Sequence, residues 1–141
     1  MTKIASEKLL INRADNVLFE FLSDFTRFGE LMPEQITNWK ATPDSCSFTI
    51  QGMANISMRI AEKVPFSLLK MNSEKDTPFE FTMNCLFNQE SENSTFVCIE
   101  FIADLPPMIK MMASKPLKNF VDLLVARLKQ LAESPDFNQK L

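Results

Sequence analysis

The chain has 141 residues, 45% hydrophobic and 23% charged, with a formal net charge of −3, a balance that suits one globular domain over residues 1–141. It contains no histidine and no tyrosine, which removes the usual general base near neutral pH, the commonest metal ligand and the phenolic acid. No basic run appears, so no nucleic-acid partner is expected.

Met1 to Lys8 is polar, neither a signal peptide nor a membrane anchor, and the longest apolar stretches fall short of a membrane span. A cytoplasmic protein is the expectation. Cys46, Cys85 and Cys98 form an odd set without C-x-x-C spacing, which reads as free thiols.

In chain order, Lys3 to Asn12 reads as a first strand. Leu18, Phe21, Leu22, Phe25 and Phe28 then recur at steps of three and four, a helical stripe. Ser23 and Asp24 divide it into two short helices, with Asp24 capping the second, and Gly29 and Pro33 end the region. From Ile36 the period changes to two. Ile36 to Ala41 carries Trp39, read either as a ligand-contact aromatic or as an anchor for the sheet edge. Pro43-Asp44 marks a turn. Cys46, Phe48 and Ile50 alternate with Ser45, Ser47 and Thr49, and Ala54, Ile56, Met58 and Ile60 alternate with Asn55, Ser57 and Arg59.

Leu69 and Met71 mark the next strand, ending at the Ser73-Glu74-Lys75-Asp76 turn. Phe79 to Phe87 and Thr95 to Ala103 form a hairpin around a polar loop, Asn88 to Ser94. Pairing Phe81 with Phe101 and Met83 with Ile99 places apolar on apolar, with Cys85 inward and Cys98 outward. Arg59, Glu80 and Glu100 are expected to point outward from the sheet. Asp104 to Glu133 reads as one long helix begun by Pro106-Pro107, with Asp104 as its cap. Its inner stripe is Leu117, Phe120, Val121, Leu124, Leu128 and Leu131. Pro116 is expected to kink or divide it near Ser114. Asp136 to Leu141 reads as a frayed tail.

This order resembles the START-like superfamily, which includes the birch-pollen allergens and polyketide cyclases. The local match is Asn12-Arg13-Ala14-Asp15-Asn16-Val17-Leu18-Phe19-Glu20-Phe21-Leu22-Ser23-Asp24, together with the amphipathic last helix after its proline-rich start. The resemblance implies an α+β helix-grip fold, with a curved seven-stranded antiparallel sheet around a long C-terminal helix and two short helices after strand 1. It also implies an apolar cavity between sheet and helix. Members of the group bind lipids, sterols or polyketides, and some are cyclases or chaperone co-activators.

The 13 Phe and 9 Met supply soft, aromatic surface with few polar handles. The reading is non-catalytic binding of a small hydrophobic or amphipathic molecule, with no cofactor, no metal ligands and no catalytic residues. Phe48, Met58, Met71, Phe81, Met83, Ile99, Met108, Met112 and Phe120 are the expected wall. Two alternatives are a cyclase or dehydratase, which needs a titratable group inside the wall, and a protein-interaction module, which needs an exposed apolar patch. The oligomeric state stays open.

Overall fold

The computed structural model describes residues 1–75, 77–135 and 137. The expected tail at Asp136 and 138–141, and Asp76 of the expected turn, lie outside them. The elements are β1 (Thr2–Ala5), β2 (Leu9–Ile11), α1 (Asp15–Leu22), α2 (Phe25–Phe28), a single 3₁₀ turn (Gly29–Leu31), β3 (Ile36–Ala41), β4 (Ser45–Ile50), β5 (Ala54–Val64), β6 (Leu68–Ser73), β7 (Phe81–Ser91), β8 (Ser94–Ala103) and α3 (Pro107–Ala132). All strands pair antiparallel in the order β1-β8-β7-β6-β5-β4-β3, with β2 also on β8. The α+β helix-grip architecture is therefore present, with eight strands in place of seven.

The extra strand comes from a break in the first one. Ala5 faces Glu100 and Leu9 faces Val97, so four steps on one strand match three on the other. Ser6 fills the irregularity: its amide donates to Ile99 O at 2.8 Å and its hydroxyl accepts from Ile99 N at 2.9 Å. The extra residue switches the inward parity, so Ile4 and Ile11 are both buried. Further register shifts occur between Thr37 and Lys40, between Ile60 and Glu62, and between Gln89 and Ser91. Each extra residue bends and twists its strand, and together they curve the sheet toward the helix. At the first of these, Asn38 adopts φ 57°, a left-handed conformation that asparagine tolerates better than most residues.

The β7–β8 hairpin corrects the expected register by two residues. Phe81 faces Ala103, Met83 faces Phe101 and Cys85 faces Ile99. A slide of two keeps every side chain on its expected face, so Cys85 is buried inward while Cys98 is half-buried on the other side. The polar loop is also shorter than expected, because pairing persists to Ser91 and Ser94.

Asp24 caps α2 as expected, its carboxylate accepting from Thr26 N at 2.9 Å. The last helix has proline in its first turn as expected, but not the expected cap or a division at Pro116. It starts at Pro107, with no side-chain cap from Asp104, and it runs unbroken through Pro116. Its inward face buries Ala113, Leu117, Phe120, Val121, Leu124, Val125, Leu128 and Ala132. Each such fully buried large side chain contributes about 1.5–3 kcal/mol relative to exposure.

Polar ties fix α3 to β1 and β2 along its later turns. Lys118 Nζ donates to Ala5 O at 2.7 Å, Lys129 Nζ to Leu10 O at 2.7 Å, and Arg13 Nε to Ala132 O at 2.6 Å. The cationic groups of Lys129 and Arg13 sit where the helix presents unpaired carbonyls, which favours positive charge. Hydrogen bonds from Lys129 and from the Asn12 amide hold Glu133 below the usual carboxylate range.

Candidate functional site

The inner face of the sheet and the inner stripe of α3 form the site suggested by the sequence. Seven of its nine expected wall residues meet in one apolar cluster: Phe48, Met58, Met71, Phe81, Met83, Ile99 and Phe120. All seven are at most 4% exposed. Strand alternation on β4, β5, β6, β7 and β8 places six of them, and the inward face of α3 supplies Phe120. Met58, Met71 and Met83 come from three neighbouring strands and are each 0% exposed.

Met108 and Met112 do not join them. They are 75% and 68% exposed, beside Met111 at 84%. Relative to Leu117, Met108 lies nine residues back, or about 180° around a helix of 3.6 residues per turn. The inward stripe therefore already placed it on the opposite face.

Aromatic rings fill the space between sheet and helix. One chain of contacts runs from Phe25 to Phe28 (5.3 Å between centroids), Trp39 (6.4 Å), Phe48 (5.7 Å) and Phe120 (5.5 Å). A second group stacks Phe81 on Phe101 at 4.5 Å, with Phe79 at 6.2 Å from each. Trp39 is the hinge of the first chain and ties edge strand β3 to the core. It lies so close to Gly29 that an added Cβ there would come within 2.9 Å of its Cε2. The expected wall leaves out Phe101, although the expected pairing places it inward opposite Phe81, and Gly29 reads as a helix end only. Phe101 belongs with the wall because it shares the face of Ile99 two residues away and is 2% exposed; the Gly29 contact with Trp39 is a tertiary one with no local signal.

The described buried residues include no Asp, Glu, Lys or Arg; their polar members are Ser6 and Thr95. Thr95 is satisfied by donating to Arg13 O at 2.9 Å. Two inward thiols are the ionisable groups of this interior. Burial pushes Cys85 up to about 12 and Cys46 higher still, so neither is a thiolate nucleophile near neutral pH. Among the described residues no group of three or more His, Cys, Asp or Glu side chains could hold a metal ion. The charged residues flagged in the sequence face outward. Arg59 pairs with Asp44 at 3.3 Å and Glu74 at 3.6 Å, Glu100 pairs with Lys3 at 2.7 Å, and Glu80 is exposed.

An open hollow of about 850 Å³ lies against β3 to β6, among polar side chains that include Lys40, Ser47, Ser57, Arg59 and Asn72. Two smaller ones, about 400 and 360 Å³, lie at the β7–β8 end and over β3 to β5. None of the three lies between the sheet and α3.

A bent antiparallel sheet closed on one long C-terminal helix, with two short helices inserted near its start, defines the START-like fold. Solved structures carry the same arrangement. A START superfamily protein from Mycobacterium smegmatis matches with a TM-score of 0.65 at 14% identity, over 92% of this chain and 98% of that one. The Aha1 dimer from Colwellia psychrerythraea matches at 0.68 and 13%, over 94% and 97%. Norcoclaurine synthase from Thalictrum flavum, solved with dopamine and hydroxybenzaldehyde, matches at 0.71 and 10%, over 92% and 85%. No family model and no curated protein sequence matches the chain. At these identities the likeness establishes the fold. Among the described residues no helix is long and apolar enough to cross a membrane.

Proposed function

We propose that this protein binds a small hydrophobic or amphipathic molecule between the sheet and α3 without transforming it. The observation that carries the reading is the methionine row Met58, Met71 and Met83, buried on three adjacent strands and flanked by Phe48, Phe81 and Phe120. Thioether side chains are unbranched and polarizable, so they re-pack around different apolar shapes at low cost. A ligand would displace these side chains from their present packing, driven by desolvation of apolar surface on both partners. The same reading takes residues 1–141 as one domain acting in the cytoplasm.

A cyclase-like reaction finds less support, because general acid–base chemistry needs a titratable group within reach of the substrate. The buried set described above offers two strongly protonated thiols. A fold match to an enzyme solved with dopamine and hydroxybenzaldehyde is in keeping with small-molecule binding by this fold, while fold alone assigns neither chemistry nor site.

The test is denaturing extraction of the purified protein, followed by mass spectrometry of what is released. Release of one apolar species in near-stoichiometric amount is expected, with Trp39 fluorescence changing when it is added back. Failure to release any such molecule, together with no native-state binding of anilinonaphthalene sulfonate, would overturn the reading.

A further inference from the structure

The first turns of α3 are apolar on both sides. Ile109 and Ala113 turn toward the core, while Met108, Met111 and Met112 are between 68% and 84% exposed. Their spacing, continued by Lys115, is i, i+3, i+4, i+7, a single outward stripe. A helix that is apolar all round is normally buried, so this stripe lacks the partner its composition calls for. Between Asp104 and Asp122 the charge along the helix is one-sided. From Leu105 to Val121 the sequence holds Lys110, Lys115 and Lys118 and no acidic residue, in a chain whose net charge is −3. Lys118 is engaged by Ala5 O and Asp122. Among the described residues Lys110 and Lys115 make no ion pair.

We propose that this stripe docks the protein on an anionic phospholipid surface. The three methionines enter the boundary between headgroups and acyl chains, and Lys110 and Lys115 pair with lipid phosphates. Size and charge select this occupant over a protein. Met108 to Met112 spans about 6 Å of helix axis, too short a stripe to supply by itself the roughly 800 Å² that a standard protein interface buries on each side. A fluid bilayer imposes no shape match, and an amphipathic lysine-flanked helix face binds it through buried apolar area plus attraction to anionic lipid. Each lysine near such a surface adds about five-fold to the affinity.

The inference does not depend on whether the interior holds a ligand, and vesicle flotation tests it with the delipidated full chain. Wild-type protein is expected to float with vesicles of phosphatidylglycerol and phosphatidylcholine at low salt. It should be released at high salt and fail to float with phosphatidylcholine alone. Met108→Asp/Met111→Asp/Met112→Asp should abolish binding, and Lys110→Ala/Lys115→Ala should weaken it about 25-fold, both variants keeping the wild-type circular dichroism spectrum and unfolding midpoint. Absence of wild-type binding, or binding retained by the folded triple variant, overturns the proposal. So does sedimentation of the wild type as a dimer that the triple variant converts to monomer, which would make the face an interface between copies. Flotation by a protein that releases no ligand on extraction would count against the carrier reading and leave this one standing.

Discussion

Two sets of three methionines behave in opposite ways in this molecule. Met58, Met71 and Met83 are fully buried on β5, β6 and β7, whereas Met108, Met111 and Met112 stand in solvent on the first turns of α3. The residue chemistry is the same; the neighbours differ. The strand set faces a helix that the side chains of Lys118, Lys129 and Arg13 help bind to the sheet. The helix set precedes those ties and faces away from the core. Methionine content by itself therefore says little about a pocket: it marks deformable apolar surface, and the surrounding elements decide whether that surface packs inward or waits for a partner.

Core substitutions should break the comparison most strongly. Phe120→Ala removes the ring that meets Phe48 at 5.5 Å, and a loss of about 3–5 kcal/mol in denaturant unfolding is expected. Met71→Ala should cost about 2–5 kcal/mol. A Met71→Ala loss below 1 kcal/mol would mean the methionine row is loosely packed already, and would place a void where the sheet and α3 meet.

Alkaline pH gives a second handle on the same interior. An unfolded thiol ionises above its ordinary 9.0, while the buried Cys46 and Cys85 thiols stay protonated. Their contribution is fully present below pH 9 and falls as pH rises, for Cys85 until it titrates near 12. The expected slope is about 1.4 kcal/mol per pH unit per thiol. Comparing unfolding free energies at about pH 8 and about pH 10 for wild type and Cys46→Ala/Cys85→Ala isolates this contribution. Equal slopes in the two proteins would show that these thiols reach water in the native state.

Gly29→Ala addresses the edge rather than the centre of the core. The new methyl group would press on the Trp39 indole, and overpacking of this kind costs about 1–3 kcal/mol. Trp39 emission should shift as the indole moves off Phe28 and Phe48; an unchanged spectrum and midpoint would show that β3 yields freely.

Much of this architecture could be read wherever one physical pattern ruled a segment. β4 and β8 alternate strictly, the α3 stripe repeats at three and four, and Asp24 sits at a helix start. Illegible features arose where two patterns competed. Ile4, Leu9, Leu10 and Ile11 follow no single parity, because the irregularity at Ser6 switches it between β1 and β2. The β7–β8 register was ambiguous by two residues for Phe81, Met83 and Cys85, which meet apolar partners in either pairing; Phe87 alone separates the two, facing Thr95 in the expected one and Val97 in the observed one. The tight turn at Glu92-Asn93 and the shift between Gln89 and Ser91 accompany the observed register. Of the candidate site, the inward strand residues followed from parity. Met108 and Met112 were grouped with them by residue type, although helical phase put them elsewhere.

The smallest expected effect is the one that sharpens the comparison furthest. Met111→Asp alters an 84% exposed side chain, so stability should stay within about 0.5 kcal/mol of wild type. The reverse experiment, Met83→Asp, places a carboxylate against the 0% exposed inner face. Without a compensating partner that charge cannot be buried cheaply, and the protein should fail to fold or titrate its new group far upward. Identical chemistry at two methionines would then give nearly nothing at one and loss of the fold at the other. If Met111→Asp instead lowered the unfolding midpoint substantially, the first turns of α3 would have to be packed in solution, and their exposed face would already have found its partner in a second copy of the chain.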